Sequence, residues 1–522
     1  MAELQSPAGI KNVIIDGKSL QLPQVIAVAR FGAHVEIAPA ASERMARSRG
    51  VIDEAASSGV KIYSVTTGYG ENADILLTAE QALCKEMNLL RSHAAGGGEY
   101  LPEDVVRAIM LTTLNKFATG ECGITPAIAR TFADMLNARV YPCVPESGSL
   151  GASGDLIPCA HIALVVVGDE SGQAFIKSGA NLEIISGAAA MQKAGIAPVN
   201  PSFKDGLSMI NGNTYSSGLL SIALYDSIVL MKSMLIIAAL TADARGAAME
   251  AFDPSLFEAD RASGEAIVAA AISERLDGSG LTMARGHNEY SLRTMPQWHG
   301  AEYDDILSIM PLLEAQINRC SDNPIVRPDA TRRIDFQVKD AGKFQGSALA
   351  KNADILINSL TTLANISNMR AHHLMNDKMN GGRFPRFLAP DAGANSGLMI
   401  YQYRGSAEYL RLSSLGRFSV QSTATSAWTE DVVSNSGLAC LYAWKASQWA
   451  LPVAAIEMIA AAQAIDLING QKQCSPKNKK LYQMIRARIP FLREDNISAY
   501  TLINAAAEMI KAGQLLEQDQ QW

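Results

Sequence analysis

The sequence predicts a mainly α-helical protein with a long central helix bundle and a smaller mixed N-terminal part. Beyond about residue 200, three long stretches are apolar at helical spacing: "SSGLLSIALYDSIVLMKSMLIIAALTADARGAAMEAF", "SALAKNADILINSLTTLANISNMRAHHLM" and "SNSGLACLYAWKASQWALPVAAIEMIAAAQAIDLI". The short strand candidates, "NVIIDG" and "KIYSVTTG", both lie near the front of the chain. Helices this long bury several faces at once, which is typical of a bundle.

We place the boundary between the two parts at residue 210. Residues 1–210 form an N-terminal domain that carries two functional loops, and residues 211–522 form the long-helix domain. Within the third apolar stretch, Pro452 kinks the helix or marks a junction. Long Gly-, Pro- and Asn-rich connections such as "HAAGGGEYLPED" predict a site built from loops at the ends of the bundle. The apolar outer faces of the helices predict that copies of the chain associate.

Composition and charge argue against several classes of function. The chain has 522 residues, of which 48% are hydrophobic, enough for a large core. Its net charge is −7 and it has no basic stripe, so neither nucleic acid nor an anionic membrane is an expected partner. Asp226 and Lys232 interrupt the most apolar stretch, which favours a core helix over a membrane span. The first residues do not follow the pattern of a secretory signal.

The cysteines and histidines indicate a cytoplasmic protein without a metal. The seven cysteines are odd in number, widely spaced and without a CxxC pair, which is typical of reduced thiols. His372 and His373 are adjacent, so on a helix they point about 100° apart and are poorly placed to share one ion. The chain contains no Walker loop and no GxGxxG after a strand, so we expect neither a metal nor a nucleotide cofactor.

The tripeptide Ala152-Ser153-Gly154, within "ESGSLGASGDLIP", is able to form a cofactor from the chain itself. In a sharp bend the amide nitrogen of Gly154 approaches the carbonyl carbon of Ala152, and glycine has no Cβ to obstruct it. Ring closure with loss of water, followed by loss of the Ser153 hydroxyl as a second water, yields the electrophile 4-methylidene-imidazole-5-one (MIO). Asp155 is the expected cap of a following helix, whose positive end would strengthen that electrophile. An isolated Ala-Ser-Gly would be an ordinary turn, so the surrounding sequence must distinguish an ordinary turn from a loop that forms MIO.

The surrounding sequence resembles the histidine and aromatic amino acid ammonia-lyase family, whose members form MIO autocatalytically. "GSLGASGDLIP" is similar to the family's signature. The chain also carries, in the family's order, "VIIDGKSLQL", "IYSVTTGYGE", "NLLRSHAAGGGEYL", "KDGLSMING", "YSLRTMPQ", "CSDNPIV" and "GRFPRFLAPDAGANSGLMIYQY". The resemblance covers roughly residues 12–470. It implies the tetrameric histidine ammonia-lyase-like fold, a small amino acid as substrate, and a homotetramer in which three subunits build each site.

The resemblance also implies roles for individual residues. Tyr63 stands where the family keeps the base that removes the β-hydrogen. A tyrosine with an ordinary pKa is a poor base at neutral pH, so the site must lower that pKa or supply a compensating charge. Arg293 is the implied clamp for the substrate carboxylate, a role that suits a planar bidentate donor. Tyr290 and Asn211 stand beside the MIO and the amine, and Phe344 matches an aromatic ring that packs near the MIO.

Two further positions bear on the substrate. His93 matches the family's selectivity position, where histidine occurs in enzymes that act on histidine and on tyrosine. Glu430 matches a position that is acidic in the histidine enzymes and commonly an amide in the aromatic ones. A carboxylate facing an imidazole N–H makes a charge-assisted hydrogen bond and would be a costly neighbour for an apolar ring. The pair therefore favours an imidazole substrate over phenylalanine, while a helix cap is the alternative role for Glu430.

Several positions around the expected site depart from the family's pattern. Residues 287–288 are His-Asn in place of Gln-Asp, and Gln345, which we count as a substrate-binding position, replaces a histidine. Tyr215 and Trp428 add aromatic rings, and such rings beside an amine site suit a methylated ammonium. These departures keep open the ergothionase branch, which resembles histidine ammonia-lyase but releases trimethylamine from ergothioneine.

The sequence therefore predicts a carbon–nitrogen lyase that eliminates the α-amine from histidine or a histidine derivative and yields a urocanate-type unsaturated acid. In this hypothesis Arg293 holds the carboxylate, His93 and Glu430 hold the ring, and Tyr63 removes the β-proton. A second hypothesis is a tyrosine ammonia-lyase or tyrosine 2,3-aminomutase, in which His93 bonds the phenol. The alternative from another class is a catalytically inactive helical scaffold, against which the intact catalytic residues argue.

Overall fold

The structure, a computed structural model, describes residues 5–178 and 181–516. Helices dominate these residues, which confirms the predicted fold class. In chain order the α-helices are α1 (Leu22–Phe31), α2 (Pro39–Ser57), α3 (Ala79–His93), α4 (Glu103–Ala118), α5 (Pro126–Ala138), α6 (Leu156–Val166), α7 (Gly187–Ala194), α8 (Asp205–Ile210), α9 (Thr214–Arg245), α10 (Gly264–Leu276), α11 (Tyr290–Arg293), α12 (Met295–Ile317), α13 (Ile334–Gln337), α14 (Ser347–Met375), α15 (Met399–Ser413), α16 (Ser436–Leu467), α17 (Pro476–Arg488) and α18 (Ala499–Lys511).

The strands are short and form small separate sheets. They are β1 (Asn12–Ile15), β2 (His34–Ile37), β3 (Gly97–Tyr100), β4 (Tyr141–Pro142), β5 (Pro145–Ser147), β6 (Gln173–Ser178), β7 (Asn181–Ser186), β8 (Ile325–Val326) and β9 (Val338–Lys339). β1 and β2 pair in parallel, whereas β3–β5, β4–β6–β7 and β8–β9 pair antiparallel. Most strands belong to the N-terminal part, as predicted.

The three long apolar stretches form α9, α14 and α16, which pack against one another at the centre of the bundle. α9 is buried along almost its whole length because it is apolar around its full circumference. α16 continues from Ser436 to Leu467 through Pro452, so that proline marks no junction. The helices α4, α12, α15 and α18 pack around this centre and complete the core.

One predicted strand is confirmed and the other is wrong. "NVIIDG" contains β1, whose register with β2 runs from Asn12↔His34 to Ile15↔Ile37. "KIYSVTTG" instead forms a series of turns over residues 63–66, followed by an isolated bridge from Thr67 to Leu76. The Ile62 N–H donates to Thr66 Oγ1 at 2.8 Å, and Ser64 has a φ of 63°. Local bonds from a hydroxyl to the backbone therefore override the strand preference of the β-branched residues.

The domain boundary at residue 210 stays a prediction, although it falls between α8 and α9. One continuous hydrophobic core draws residues from both sides of it. α9, despite its Asp226 and Lys232, and α16 are both long and apolar enough to cross a membrane. However, 89% and 83% of their most apolar windows are buried inside the protein, as in core helices. All seven cysteines are free thiols.

Candidate active site

A cavity of about 950 Å³ brings five of the predicted site residues together. Tyr63, His93, Ser153, Asn211 and Glu430 all line it. They come from five well-separated segments of the chain, so tertiary packing creates this constellation. Within residues 5–178 and 181–516, no group of three or more His, Cys, Asp or Glu side chains could hold a metal ion.

The segment 152–154 lies in a loop that only glycine can close. Gly154 has a φ of 80°, and a Cβ built on it would lie 2.4 Å from the backbone nitrogen of Gly212. The Asn211 side-chain amide donates to the Ser153 carbonyl at 2.9 Å. The turn that carries Asn211 therefore packs directly on the loop and holds it from one side.

Asp155 precedes α6 as predicted, but its side chain does not cap that helix. The carboxylate is fully buried and accepts hydrogen bonds from Ser149 Oγ at 2.6 Å, Ser216 N at 2.9 Å and Ser216 Oγ at 3.0 Å. Burial raises the pKa of Asp155, and these donors oppose that effect. Donors from the loop and from α9 compete for the carboxylate more effectively than the N–H groups of α6. Asp155 thus ties the loop to the first turn of α9.

Tyr63 lies in an environment that disfavours its ionised form. Burial raises the pKa of the Tyr63 phenol, and the carboxylates of Asp340 and Glu430 raise it further. The Gly70 N–H, which donates to the phenol oxygen at 3.4 Å, and the Lys204 ammonium act in the opposite direction. A base role for Tyr63 therefore requires a positive charge beyond those that surround it in this chain.

His93 is the last residue of α3, and one nitrogen of its ring is available to the cavity. Its Nδ1 lies 2.9 Å from the Leu89 carbonyl and 3.0 Å from Ser92 Oγ. Burial lowers the pKa of His93, which favours the neutral ring. With Nδ1–H donating to the Leu89 carbonyl, Nε2 is an acceptor for a donor group on a ligand.

Glu430 reaches the cavity from a strained turn. Its backbone pairs with Thr425, whose hydroxyl donates to Glu430 Oε2 at 2.8 Å. The three residues 426–428 between them all have positive φ values, 52°, 49° and 70°, which is costly for residues other than glycine. Because α16 begins only at Ser436, Glu430 is not a helix cap and that alternative is wrong.

Tyr290 and Arg293 lie on α11, far from the cavity of their own chain. The neighbouring Glu289 accepts a hydrogen bond at 3.0 Å from Arg245, the last residue of α9, whereas Asn211 precedes the first turn of the same helix. A helix of 32 residues is about 48 Å long. The structure therefore places Tyr290 and Arg293 far from the five predicted residues that line the cavity. Tyr290 is 74% exposed.

Phe344 and Gln345 precede α14 and do not line the cavity of their own chain. Gln345 Oε1 accepts hydrogen bonds from the backbone N–H and the hydroxyl of Ser347, at 3.1 and 3.0 Å. The next residue, Gly346, packs on Ser436 at the start of α16, where an added Cβ would lie 2.4 Å from the hydroxyl. In this chain Gln345 thus accepts hydrogen bonds from Ser347 in the first turn of α14.

The cavity wall includes residues that the sequence analysis did not single out. Gln81, Cys84, Lys85 and Asn88 line it from one face of α3, which ends at His93. The sequence does contain a signal for this shared face, because these residues are spaced three and four apart and side chains at that spacing lie on one face of a helix.

Lys85 and Glu86 support the turn that carries Tyr63. Lys85 Nζ donates to the Ser64 and Thr67 carbonyls at 2.6 and 3.1 Å. Its neighbour Glu86 is fully buried and accepts a hydrogen bond from the Tyr69 hydroxyl at 3.0 Å. This network holds the turn against α3.

Comparison with known proteins supports a single family. Residues 20–487 match the aromatic amino acid lyase family. A histidine ammonia-lyase of Treponema denticola is 39% identical over 505 residues, which cover 96% of this chain and 97% of that protein.

Solved structures of the same architecture include enzymes with different names. A tyrosine aminomutase from Streptomyces globisporus superposes with a TM-score of 0.89 at 28% identity, over 97% of this chain and 98% of that one. An ergothionase from Treponema denticola, in complex with desmethyl-ergothioneine sulfonic acid, has a TM-score of 0.86 at 27% identity, over 97% of this chain and 99% of that one.

Proposed function

Because the chain belongs to the aromatic amino acid lyase family and is an ammonia-lyase-type enzyme, we propose that it eliminates the α-amine of histidine, or of a histidine derivative, to yield a urocanate-type acid. The resemblance inferred from the motifs is thereby confirmed at the level of the family. The observation that carries the choice of substrate is the placement of His93 and Glu430 in one cavity with Ser153 and Tyr63.

We propose further that Ala152, Ser153 and Gly154 form MIO. The surroundings fit that group: Gly154 is held against Gly212, and the buried Asn211 Oδ1 has no hydrogen-bond partner among the described residues. Such an orphaned acceptor suits an amine-bearing ligand. MIO supplies an electrophile that converts the α-amine into a leaving group.

The residues of the cavity suit the remaining steps. Glu430 accepts the imidazole N–H, and His93 Nε2 orients the substrate ring from the end of α3. Tyr63 accepts the β-proton. Asn211 holds the loop through the Ser153 carbonyl.

The site is completed by other copies of the chain in a homotetramer. Tyr290 and Arg293 lie at the opposite end of the bundle from their own cavity, so they serve the cavity of another copy, and we assign Phe344 to the same shared site. The guanidinium of Arg293 then binds the substrate carboxylate and adds the positive charge that the surroundings of Tyr63 lack. The free thiols support a cytoplasmic location.

The structure gives the ergothionase alternative less support than histidine. Tyr215 is buried, and its hydroxyl donates to the Glu146 carbonyl at 2.7 Å. Trp428 is 80% exposed, and neither ring lines the cavity. The two aromatic residues therefore form no cage for a trimethylammonium group in this chain.

A substrate panel tests the proposal directly. The purified protein is incubated separately with histidine, tyrosine and ergothioneine, and both the ultraviolet spectrum and the released amine are followed. We expect a urocanate spectrum and ammonia from histidine. A coumarate spectrum or a β-amino acid from tyrosine alone, or trimethylamine from ergothioneine alone, would replace histidine as the assigned substrate.

Glu430→Gln should selectively impair the use of histidine. Loss of a charge-assisted hydrogen bond, which contributes about 1.5–3 kcal/mol, is expected to lower kcat/KM for histidine by about 10- to 100-fold. Steady-state kinetics with histidine and phenylalanine measure the effect, and the value for phenylalanine should not fall. Asp431→Asn, which removes an exposed carboxylate from the same loop, is the matched control. Equal losses for both substrates would contradict an imidazole-binding role.

Two inactive variants should restore activity when they share a tetramer. Chains with Tyr63→Phe and chains with Arg293→Ala are co-expressed and purified together. Some sites in the mixed tetramers then combine a native Tyr63 with a native Arg293, so lyase activity should exceed that of either variant alone. The control is co-expression of Tyr63→Phe chains with chains that carry both Tyr63→Phe and Arg293→Ala, because every site then lacks the phenol. If the mixture is no more active than its parts, the two residues do not serve a shared site.

A further inference from the structure

Three buried serines link the two ends of the MIO-forming loop. Ser434 Oγ donates to the Gly151 carbonyl at 2.9 Å and lies 3.1 Å from Ser436 Oγ. Ser436 Oγ is 3.0 Å from Ser216 Oγ, which in turn donates to the Asp155 carboxylate at 3.0 Å. A continuous chain of hydroxyls thus runs from the residue before Ala152 to the residue after Gly154.

The three hydroxyl protons can serve three of the four contacts in this chain at the same time. Each serine has one proton to donate. With Ser434 donating to Gly151 and Ser216 donating to Asp155, Ser436 donates to one of the two other serines. All three serines are at most 3% exposed, so water does not substitute for these bonds.

The loop also lies in close contact with the start of α16. A Cβ built on Gly151, whose φ is 61°, would lie 2.4 Å from Ser436 Oγ and 2.5 Å from Ser434 Oγ. A Cβ on Gly437 would lie 2.5 Å from the Cβ of Ser149. There is no room for one methyl group at this contact, so the position of α16 determines how the loop is bent.

We propose that Ser216, Ser434 and Ser436 form a clamp that holds both ends of residues 151–155 in the bend needed for cyclisation. The clamp rests on the proposed function, since it concerns the formation of MIO. Ser434 lies 283 residues after Gly151 in the chain. The loop therefore reaches its cyclising geometry only when α16 has docked on α9, and MIO formation follows the folding of the bundle.

The clamp acts by position, and the cyclisation needs no oxidant. A bond forms between the Gly154 nitrogen and the Ala152 carbonyl carbon. The Ala152 oxygen leaves as water with the amide hydrogens of Gly154 and Ser153. The Ser153 hydroxyl leaves as a second water with the hydrogen on its Cα, which creates the exocyclic double bond. Holding the nitrogen near the carbonyl carbon raises the rate of the first step because orientation is provided by the fold.

The rate of water loss in newly made protein tests the clamp. The full chain is made by cell-free translation, samples are stopped at intervals, and the mass of the peptide that contains residues 149–155 is measured. Ser216→Ala, Ser434→Ala and Ser436→Ala are compared with the wild type and with Ser447→Ala. Ser447 is a buried serine of α16 whose hydroxyl bonds within the helix, to the Trp444 carbonyl. Size-exclusion chromatography and circular dichroism restrict the comparison to folded protein.

We expect each clamp variant to lose the two waters about fivefold more slowly than the wild type, since one hydrogen bond contributes about 1 kcal/mol. Ser447→Ala should cyclise at the wild-type rate. Folded clamp variants that cyclise as fast as the wild type would overturn the clamp and leave the proposed function standing, as would an equal slowing in Ser447→Ala. A wild-type chain that never loses the waters would overturn both.

Discussion

Ser153→Ala is expected to abolish lyase activity while leaving the fold intact. The substitution removes the hydroxyl that leaves as the second water, so the exocyclic double bond cannot form. The contact of Ser153 with Asn211 uses the serine carbonyl, which alanine retains. Loss of a covalent catalyst costs on the order of 10³-fold or more in kcat/KM.

The measurement combines activity with two structural readouts. Urocanate formation from histidine gives kcat/KM, the mass of the peptide around residue 153 reports water loss, and circular dichroism with thermal unfolding reports the fold. Ser447→Ala, a buried substitution distant in sequence from the loop, should keep activity and MIO alike. An active Ser153→Ala protein would show that the loop is not the catalyst.

Tyr63→Phe is expected to lower kcat by about 10²- to 10⁴-fold, the range of a lost general base. Phenylalanine keeps the ring in its place, and the only hydrogen bond recorded for the phenol within the described residues is the long one from Gly70. Stability should therefore change little. Tyr69→Phe is the matched comparison: its hydroxyl bonds the buried Glu86, so we expect that loss to fall mainly on thermal stability. If the two variants lose the same activity, Tyr63 is not the base.

The pH dependence of the reaction provides a second test of Tyr63 as the base. Only the phenolate accepts a proton, so kcat/KM should rise with pH until Tyr63 is ionised. Within one chain, burial and the carboxylates of Asp340 and Glu430 raise the pKa of Tyr63 and displace this rise toward alkaline pH, and the guanidinium of Arg293 from another copy opposes that displacement. Glu430→Gln removes one of these negative charges and should move the rise to lower pH. A rise that persists unchanged in Tyr63→Phe would belong to another group.

The candidate site contains residues whose role follows from neighbours in the sequence and residues whose role depends on partners far away in the chain. The tripeptide proposed to form MIO is contiguous, and the chemistry expected of it follows from three adjacent residues. The side chain of Asp155 could not be assigned in this way: its position predicts a helix cap, but its partners Ser149 and Ser216 reach it through packing. The sequence likewise predicts a strand around Tyr63, and bonds from local hydroxyls and Lys85 hold it on a turn instead.

The amino-acid sequence alone was enough to predict the helical bundle, the family motifs and a loop with the residues to form MIO, because hydrophobic periodicity and contiguous motifs are local properties of the chain. Which residues share a cavity became clear only from the packing of the folded chain. It brought His93 and Glu430 to Ser153, and it left Arg293 the length of α9 away. Periodicity encodes which face of a helix is buried, whereas the partner across that face depends on how distant helices such as α9 and α16 dock.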